Sequence, residues 1–354
     1  DGTIWFCGQR NGTLGRLDPG DGSYKLVDLG KGAAPHGVII GPDGAAWVTE
    51  GGQKAIARME PNVARLVDTL LEEMAATGAV NFIDAFAAQI PIEVIGNLLD
   101  IPREARAPLR GWSVAILSGL EPKLTPRVFE AGNRAVTEFV EYLKVLIAAR
   151  RKNPGDYESD VLTRLIAGEK DGETLTEKEL YHQCIFLLNA GHETTTNLLG
   201  NGLWALLNNP AEMARLRADP ALVSAAVEEM LRYDGPIQLN NRRLVAPLPL
   251  AGKTLPAGTP VTIGIGAANR DPAQFADPER FDAGRKPNRH LAFGSGIHRC
   301  AGSNLARLEL RASLQAFLER IPDFELVDPD AVTWAGGQVH GPRTCEVRFD
   351  VAAS

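Results

Sequence analysis

The run Phe293-Gly294-Ser295-Gly296-Ile297-His298-Arg299-Cys300-Ala301-Gly302 surrounds a cysteine with residues that suit a thiol to ligand chemistry. Gly294 and Gly296 permit close backbone approach and unusual dihedrals, so main-chain N–H groups can point at the sulfur. Cys300 opens a stretch of helical periodicity (Leu305, Leu308, Ala312, Phe317), and the dipole at a helix start favours a thiolate. A thiolate cradled this way serves as a metal or heme-iron ligand.

A second run, Ala190-Gly191-His192-Glu193-Thr194-Thr195-Thr196, lies within a predicted helix from Glu177 to about Asn208. Thr176 and Glu179 give that helix a capping box, and Leu180, Cys184, Leu187 and Leu188 give it an apolar stripe. A glycine beside three β-branched residues disfavours helix by about 0.5 to 1 kcal/mol each relative to alanine. The cost points to a purpose: glycine with adjacent hydroxyls loosens the backbone ladder and leaves room for a small ligand. A third pair, Glu229 and Arg232, sits three apart on one helix face, an arrangement worth little when exposed.

Taken together, these motifs resemble the cytochrome P450 family, in its soluble bacterial form, from about residue 62 to 354. The resemblance implies a mainly α fold with small β-sheets. It implies a heme-thiolate monooxygenase that inserts one oxygen atom from dioxygen into an apolar organic substrate. Electrons would come from NAD(P)H through a ferredoxin- or flavodoxin-type partner. By the same resemblance Cys300 is the axial iron ligand of heme b, His298 donates to a heme propionate, and Phe293 and Gly294 belong to the heme-binding loop. Thr194 holds dioxygen and its water network, and Glu193 relays protons. Glu229 and Arg232 form a buried structural pair with a further arginine, matched to Arg280 in Asp277-Pro278-Glu279-Arg280-Phe281. A propionate-binding arginine falls at Arg242 or its neighbour Arg243; counting back from Gly252 favours Arg242, and the choice stays open. Pocket walls are expected at Leu187, Leu188, residues 238–240 and 336–338.

The elements that must position these residues begin at about Asn62. There apolar residues take helical spacing (Val63, Leu66, Val67, Leu70, Leu71, Met74), and helices continue to about Tyr233. Breaks are predicted at Pro102, Pro122, Asn153-Pro154-Gly155, Asn208-Asn209-Pro210 and Asp219-Pro220. A β-like stretch covers 242–266, one more helix runs from about Cys300 to Arg320, and Glu346–Phe349 closes the chain as a strand. Residues 1–61 read differently. Asp1-Gly2-Thr3-Ile4-Trp5 returns as Asp43-Gly44-Ala45-Ala46-Trp47, and the segment resembles β-propeller blades of the streptogramin B (virginiamycin B) lyase family. Only one and a half repeats are present, short of the four blades that a propeller needs. The expected division is therefore 1–61, blade-like, and 62–354, P450-like. The family's N-terminal sheet and first helices are not matched, so the chain reads as N-terminally truncated. An inactive or heme-poor remnant is the alternative, and a propeller lyase the third reading.

Composition narrows the field further. The chain has 354 residues, is 44% hydrophobic and 23% charged, and carries a net charge of −7. That balance fits a globular protein and argues against a nucleic-acid binder, which needs surplus cations. No apolar run reaches bilayer length and no leader is recognised, so a cytoplasmic protein without a membrane partner is expected. The cysteines Cys7, Cys184, Cys300 and Cys345 show no metal-ribbon spacing. Arg285, Lys286, Arg289, Arg299, Arg307 and Arg311 gather around the cysteine loop as a basic patch suited to an acidic electron carrier.

Overall fold

Helical periodicity in the sequence becomes helix almost throughout the larger part of the chain. The computed structural model describes the backbone of residues 4–8, 13–17, 24–28, 35–40, 46–50, 53–119, 121, 124–155, 160–170, 173–321 and 323–349. Side chains are described from Met59 onward, apart from those of 169, 170, 173, 174 and 297.

Five strands come first: β1 (Ile4–Gly8), β2 (Thr13–Leu17), β3 (Tyr24–Asp28), β4 (Pro35–Ile40) and β5 (Ala46–Glu50). The first three form an antiparallel meander and the last two a hairpin. Among the described residues no sheet has the four strands of a propeller blade, and no propeller or barrel closes. The Asp-Gly pairs of the repeat lie outside the described residues.

Helix α1 (Gln53–Ala75) starts nine residues before the predicted onset and runs through Pro61, at the expected division between the two parts. Gln, Lys, Ala, Arg and Met are strong helix formers, and they extend the helix upstream of the proline. Strand β6 (Ala79–Asn81) and helices α2 (Gln89–Leu98), α3 (Leu109–Ser118), α4 (Pro126–Lys152) and α5 (Val161–Ala167) follow. The small hairpin of β7 (Glu169–Lys170) and β8 (Glu173–Thr174) leads into α6 (Glu177–Leu207), whose Thr176–Glu179 capping box forms as predicted. Next come α7 (Pro210–Ala218) and α8 (Val223–Tyr233), then β9 (Leu239–Arg243), β10 (Leu248–Leu250), β11 (Lys253–Leu255), β12 (Pro260–Gly264) and the short α9 (Ile265–Ala268). Helix α10 (Ser303–Arg320) precedes β13 (Phe324–Leu326), β14 (Thr333–Ala335), β15 (Gly341–Thr344) and β16 (Glu346–Phe349). Strand β16 pairs with both β13 and β6, tying the chain's end to its first helical part.

Two apolar cores hold this arrangement. One joins α1, α8 and α10 through Val67, Leu71, Met230, Leu314 and Phe317, with Leu203 and Leu206 from the second half of α6. The other joins α2, α3 and α4 through Ile95, Leu109, Phe139 and Leu143, with Cys184 and Leu188 from the first half of α6. Helix α6, 31 residues and roughly 46 Å long, is thus the spine shared by both cores. The run Ala190–Thr196 lies at the seam between them.

Candidate heme site

The cysteine loop takes its shape from two left-handed glycines, Gly294 (φ +67°) and Gly296 (φ +63°). A Cβ at Gly294 would lie 3.2 Å from the His298 carbonyl oxygen, so this turn needs glycine. The loop closes through Cys300 N–H donating to the Phe293 carbonyl at 2.8 Å. Cys300 is half-buried, and it precedes the first residue of α10 by three positions. Burial raises its thiol above the ordinary range, opposed by the Gly302 backbone N–H on the sulfur and by the charges of Arg307 and Arg299. Desolvation thus works against the expected depression at a helix start.

On α6, Thr194 donates its hydroxyl to the Ala190 carbonyl at 2.7 Å, while the helix runs unbroken through this turn, so the expected loosening of the backbone ladder does not appear. Ala190 is exposed, Thr194 is half-buried and Phe186 is 64% exposed, so the exposed stripe of the first half of α6 continues as far as this turn. Glu193 turns the other way. It is 3% exposed and accepts from Arg343 Nη1 of β15 at 2.8 Å. His192 lies beside it with Nδ1 3.6 Å from Glu193 Oε1, wholly buried, and neither ring nitrogen has a partner. Burial, helped by the charges of Arg110 and Arg343, pushes the His192 ring down to about 3, so it is neutral.

The two halves of the site meet through a group that the sequence reading passed over. Glu309 of α10 is 3% exposed and is hydrogen-bonded by the Thr195 hydroxyl of α6, the residue after Thr194. Glu309 lies six residues, about 9 Å of helix, beyond Ser303. This bond ties α6 to α10, the helix that follows the cysteine loop. The signal was a carboxylate among the apolar positions of α10, next to Leu308. Burial pushes Glu309 up from its ordinary 4.5 to about 8. Between those values the unfolded chain releases the proton and the folded chain keeps it. Stability therefore falls as pH rises, by about 1.4 kcal/mol per unit for this group. Urea unfolding at pH 5, 6.5 and 8 is expected to show a slope that Glu309→Gln flattens; parallel slopes would refute a neutral Glu309.

The acid–arginine pair is buried as the resemblance implies, with one correction. Arg232 spans both oxygens of Glu229 at 2.8 Å, and both side chains are wholly buried. The second arginine on Glu229 is Arg285, at 3.0 Å, not Arg280. The Arg280 side chain is 63% exposed and reaches Glu212 at 4.0 Å; its carbonyl alone joins the network, accepting from Arg232 and Arg285. The basic patch shrinks accordingly. Arg285 and Arg307 turn inward onto Glu229 and Glu228; of the other four, Lys286 and Arg289 are exposed and Arg299 and Arg311 half-buried.

Alternation along β9 places Arg242 half-buried on the Asn240 side, while exposed Arg243 donates to the Gly258 carbonyl at 2.9 Å. His298 is exposed, and Phe293 is half-buried. Residues 238–240 and 336–338 do come together, through Gln238 N–H donating to the Gln338 carbonyl at 3.1 Å. Leu188 is no pocket wall: it is wholly buried in the α2–α3–α4 core, whereas Leu187 is half-buried.

Whether heme suits this donor set follows from its composition. Among the described residues no group of three His, Cys, Asp or Glu side chains gathers to hold a metal. A lone thiol on an open glycine loop fits an iron that brings its other ligands in a macrocycle. Arg242 and His298 provide donors of the kind that heme carboxylates take.

Comparison with known proteins agrees. A family model for cytochrome P450 matches residues 120–330. The chain is 40% identical over 283 residues to cytochrome P450 107B1 of Saccharopolyspora erythraea, covering 79% of this chain and 67% of that protein. It is 41% identical over 302 residues to the P450 monooxygenase PikC of Streptomyces venezuelae, covering 84% and 70%. Among solved structures, P450BioI in complex with hexadec-9Z-enoic acid ligated acyl carrier protein superposes with a TM-score of 0.79 at 33% identity, over 84% of this chain and 76% of that one. The chain belongs to the cytochrome P450 family. It is an oxidoreductase of the monooxygenase class, whose cofactor is heme held through a cysteine thiolate. These relatives support neither a propeller lyase nor an inactive remnant. Among the described residues no helix is long and apolar enough to cross a membrane.

Proposed function

We propose that this chain inserts one oxygen atom from dioxygen into an apolar organic substrate, through heme held by Cys300. The observation that carries the reading is the half-buried thiol of Cys300 on its two-glycine loop, closed by the Cys300 N–H on the Phe293 carbonyl. In this reading Arg242 and His298 would hold the heme carboxylates, and Phe293 and Gly294 shape the loop that carries Cys300. When bound, heme supplies the iron at which dioxygen is activated. While its O–H donates to the Ala190 carbonyl, the Thr194 hydroxyl oxygen stays free to accept, so it orders water in the open stripe. Glu193 moves protons from solvent, which it reaches past Arg343, whose side chain is 40% exposed. An apolar substrate is favoured by exposed Phe186 and by Leu291, 41% exposed beside the loop, and by the fatty-acyl chain carried in the P450BioI complex. Electrons are assigned to NAD(P)H through a soluble ferredoxin- or flavodoxin-type carrier in the cytoplasm, and heme binding to residues 62–354.

The reduced carbon-monoxide difference spectrum of the heme-supplied chain tests the reading. A red-shifted Soret band supports thiolate ligation, and heme bound with only a blue-shifted band refutes it. Thr194→Ala is expected to lower product per NAD(P)H on the order of tenfold and to divert electrons to peroxide, with Thr194→Ser restoring coupling. Product and peroxide yields measured together check this; unchanged coupling removes Thr194 from proton management.

A further inference from the structure

Behind the cysteine loop lies a charged group that none of the roles above uses. Glu228 of α8 accepts from Arg307 of α10 at both oxygens, Nε to Oε1 at 2.6 Å and Nη2 to Oε2 at 2.8 Å. The side chains are 28% and 22% exposed, so this is a half-buried two-point bridge, unlike a solvated surface pair. His290 adds a third contact. Its Nδ1 accepts from the Ala292 backbone N–H at 3.2 Å, which leaves the proton on Nε2 to donate to Glu228 Oε2 at 3.0 Å. Burial alone would raise the Glu228 carboxyl, but the bonds from Arg307 and His290 outweigh it and bring it to about 2. The carboxylate is ionised throughout the neutral range.

The bridge faces the loop. The Arg307 guanidinium lies over the Phe293 ring, 4.5 Å from its centroid, and the His290 ring lies 6.0 Å from the same centroid. Phe293 in turn supplies the carbonyl that accepts from Cys300 N–H. A guanidinium fixed at both oxygens of Glu228 has one orientation, and a flat cation over an aromatic face adds attraction on the order of 1 kcal/mol.

We propose that Glu228 and Arg307 are positioning residues, a clamp that holds the Phe293 ring and through it the conformation of the loop bearing Cys300. The clamp belongs to the polypeptide and acts before any cofactor arrives. Its importance for the enzyme rests on the reading of Cys300 as the iron ligand.

Amide hydrogen exchange on the full chain without heme tests the clamp directly. Glu228→Gln and Arg307→Gln are each expected to speed exchange in residues 291–302 by about tenfold, with α6 unchanged. The double variant is expected to exceed neither single, because Glu228 acts through Arg307. Arg307→Lys keeps the charge but not the planar fork, and it should resemble Arg307→Gln. Unchanged loop exchange, an increase spread evenly over the chain, or wild-type protection in Arg307→Lys would each overturn the clamp. With heme supplied, the same variants should shift the carbon-monoxide complex from the red-shifted toward the blue-shifted band. If loop exchange responds but the wild-type chain binds heme without a red-shifted band, the clamp stands and Cys300 ligation falls.

Discussion

Cys300→Ala is expected to abolish the red-shifted Soret band of the reduced carbon-monoxide complex completely, whereas Cys184→Ala and Cys345→Ala leave it in place. The contrast follows from where the thiols lie. Cys184 is buried in the α2–α3–α4 core, where burial pushes its thiol up to about 12. Cys345 is packed in the other core, and burial pushes it up to about 11. Neither can ionise at neutral pH or reach a ligand without breaking a core. Cys300 is half-buried, has a backbone N–H on its sulfur, and lies near two arginines that favour the thiolate. In the proposed reading iron would favour the thiolate further, since a coordinated thiol is deprotonated. Fold stability should change little in Cys300→Ala, because a loop side chain is truncated and no large cavity opens in either core. The two core variants should behave oppositely, losing stability while keeping the band in the folded fraction. Paired measurements of the spectrum and the urea midpoint separate these outcomes. A red-shifted band that survives in Cys300→Ala would remove the assigned ligand.

How much of this site was legible in the sequence depended on how local each interaction is. The capping box at Thr176–Glu179, the bond from Thr194 to Ala190 and the pair Glu229–Arg232 each span three or four residues. Their spacing alone predicts them once the helix is assigned. The left-handed glycines 294 and 296 were legible for the same reason. Partners supplied by distant elements left no such trace. Arg343 lies 150 residues from Glu193, and Arg307 lies 79 from Glu228. Nothing in the local pattern distinguishes Arg307 from a solvated helix arginine, which is why it was counted in a surface patch. The spacing of apolar residues places a helix start near Cys300, and α10 begins three residues later at Ser303 because the loop residues before it turn through the left-handed glycines. The described strands near the chain's start pair as a meander and a hairpin, and such pairings alone do not specify a propeller.

The largest loss of stability is expected at the buried acid–arginine network, and its pattern distinguishes Arg285 from Arg280. Arg232 spends all five N–H donors inside the protein: two on Glu229, and the others on the carbonyls of Asn269, Pro278 and Arg280 at 3.0, 2.8 and 3.2 Å. Glu229 accepts in addition from Arg285 Nε, from the Asp282 backbone N–H at 3.0 Å and from Asn288 Nδ2 at 3.1 Å. One carboxylate and one guanidinium thus tie α8 to residues 269–288, the stretch that leads into the cysteine loop. Arg232→Ala would leave three buried carbonyls without this donor and deprive Glu229 of its two-point partner, a change that costs about 3 to 5 kcal/mol. Against the 5 to 15 kcal/mol typical of a domain, that is enough to leave much of the chain unfolded at growth temperature. Arg232→Lys supplies three donors in place of five and no planar fork, so it should recover only a minor part. Arg285→Ala also removes a charge from Glu229, with its side chain 10% exposed, and should cost more than 1 kcal/mol. Arg280→Ala removes an exposed side chain and leaves its carbonyl in place, so its cost should stay within about 0.5 kcal/mol. Urea unfolding of the four variants gives the order directly. An Arg280 cost equal to that of Arg285 would return the third network position to Arg280.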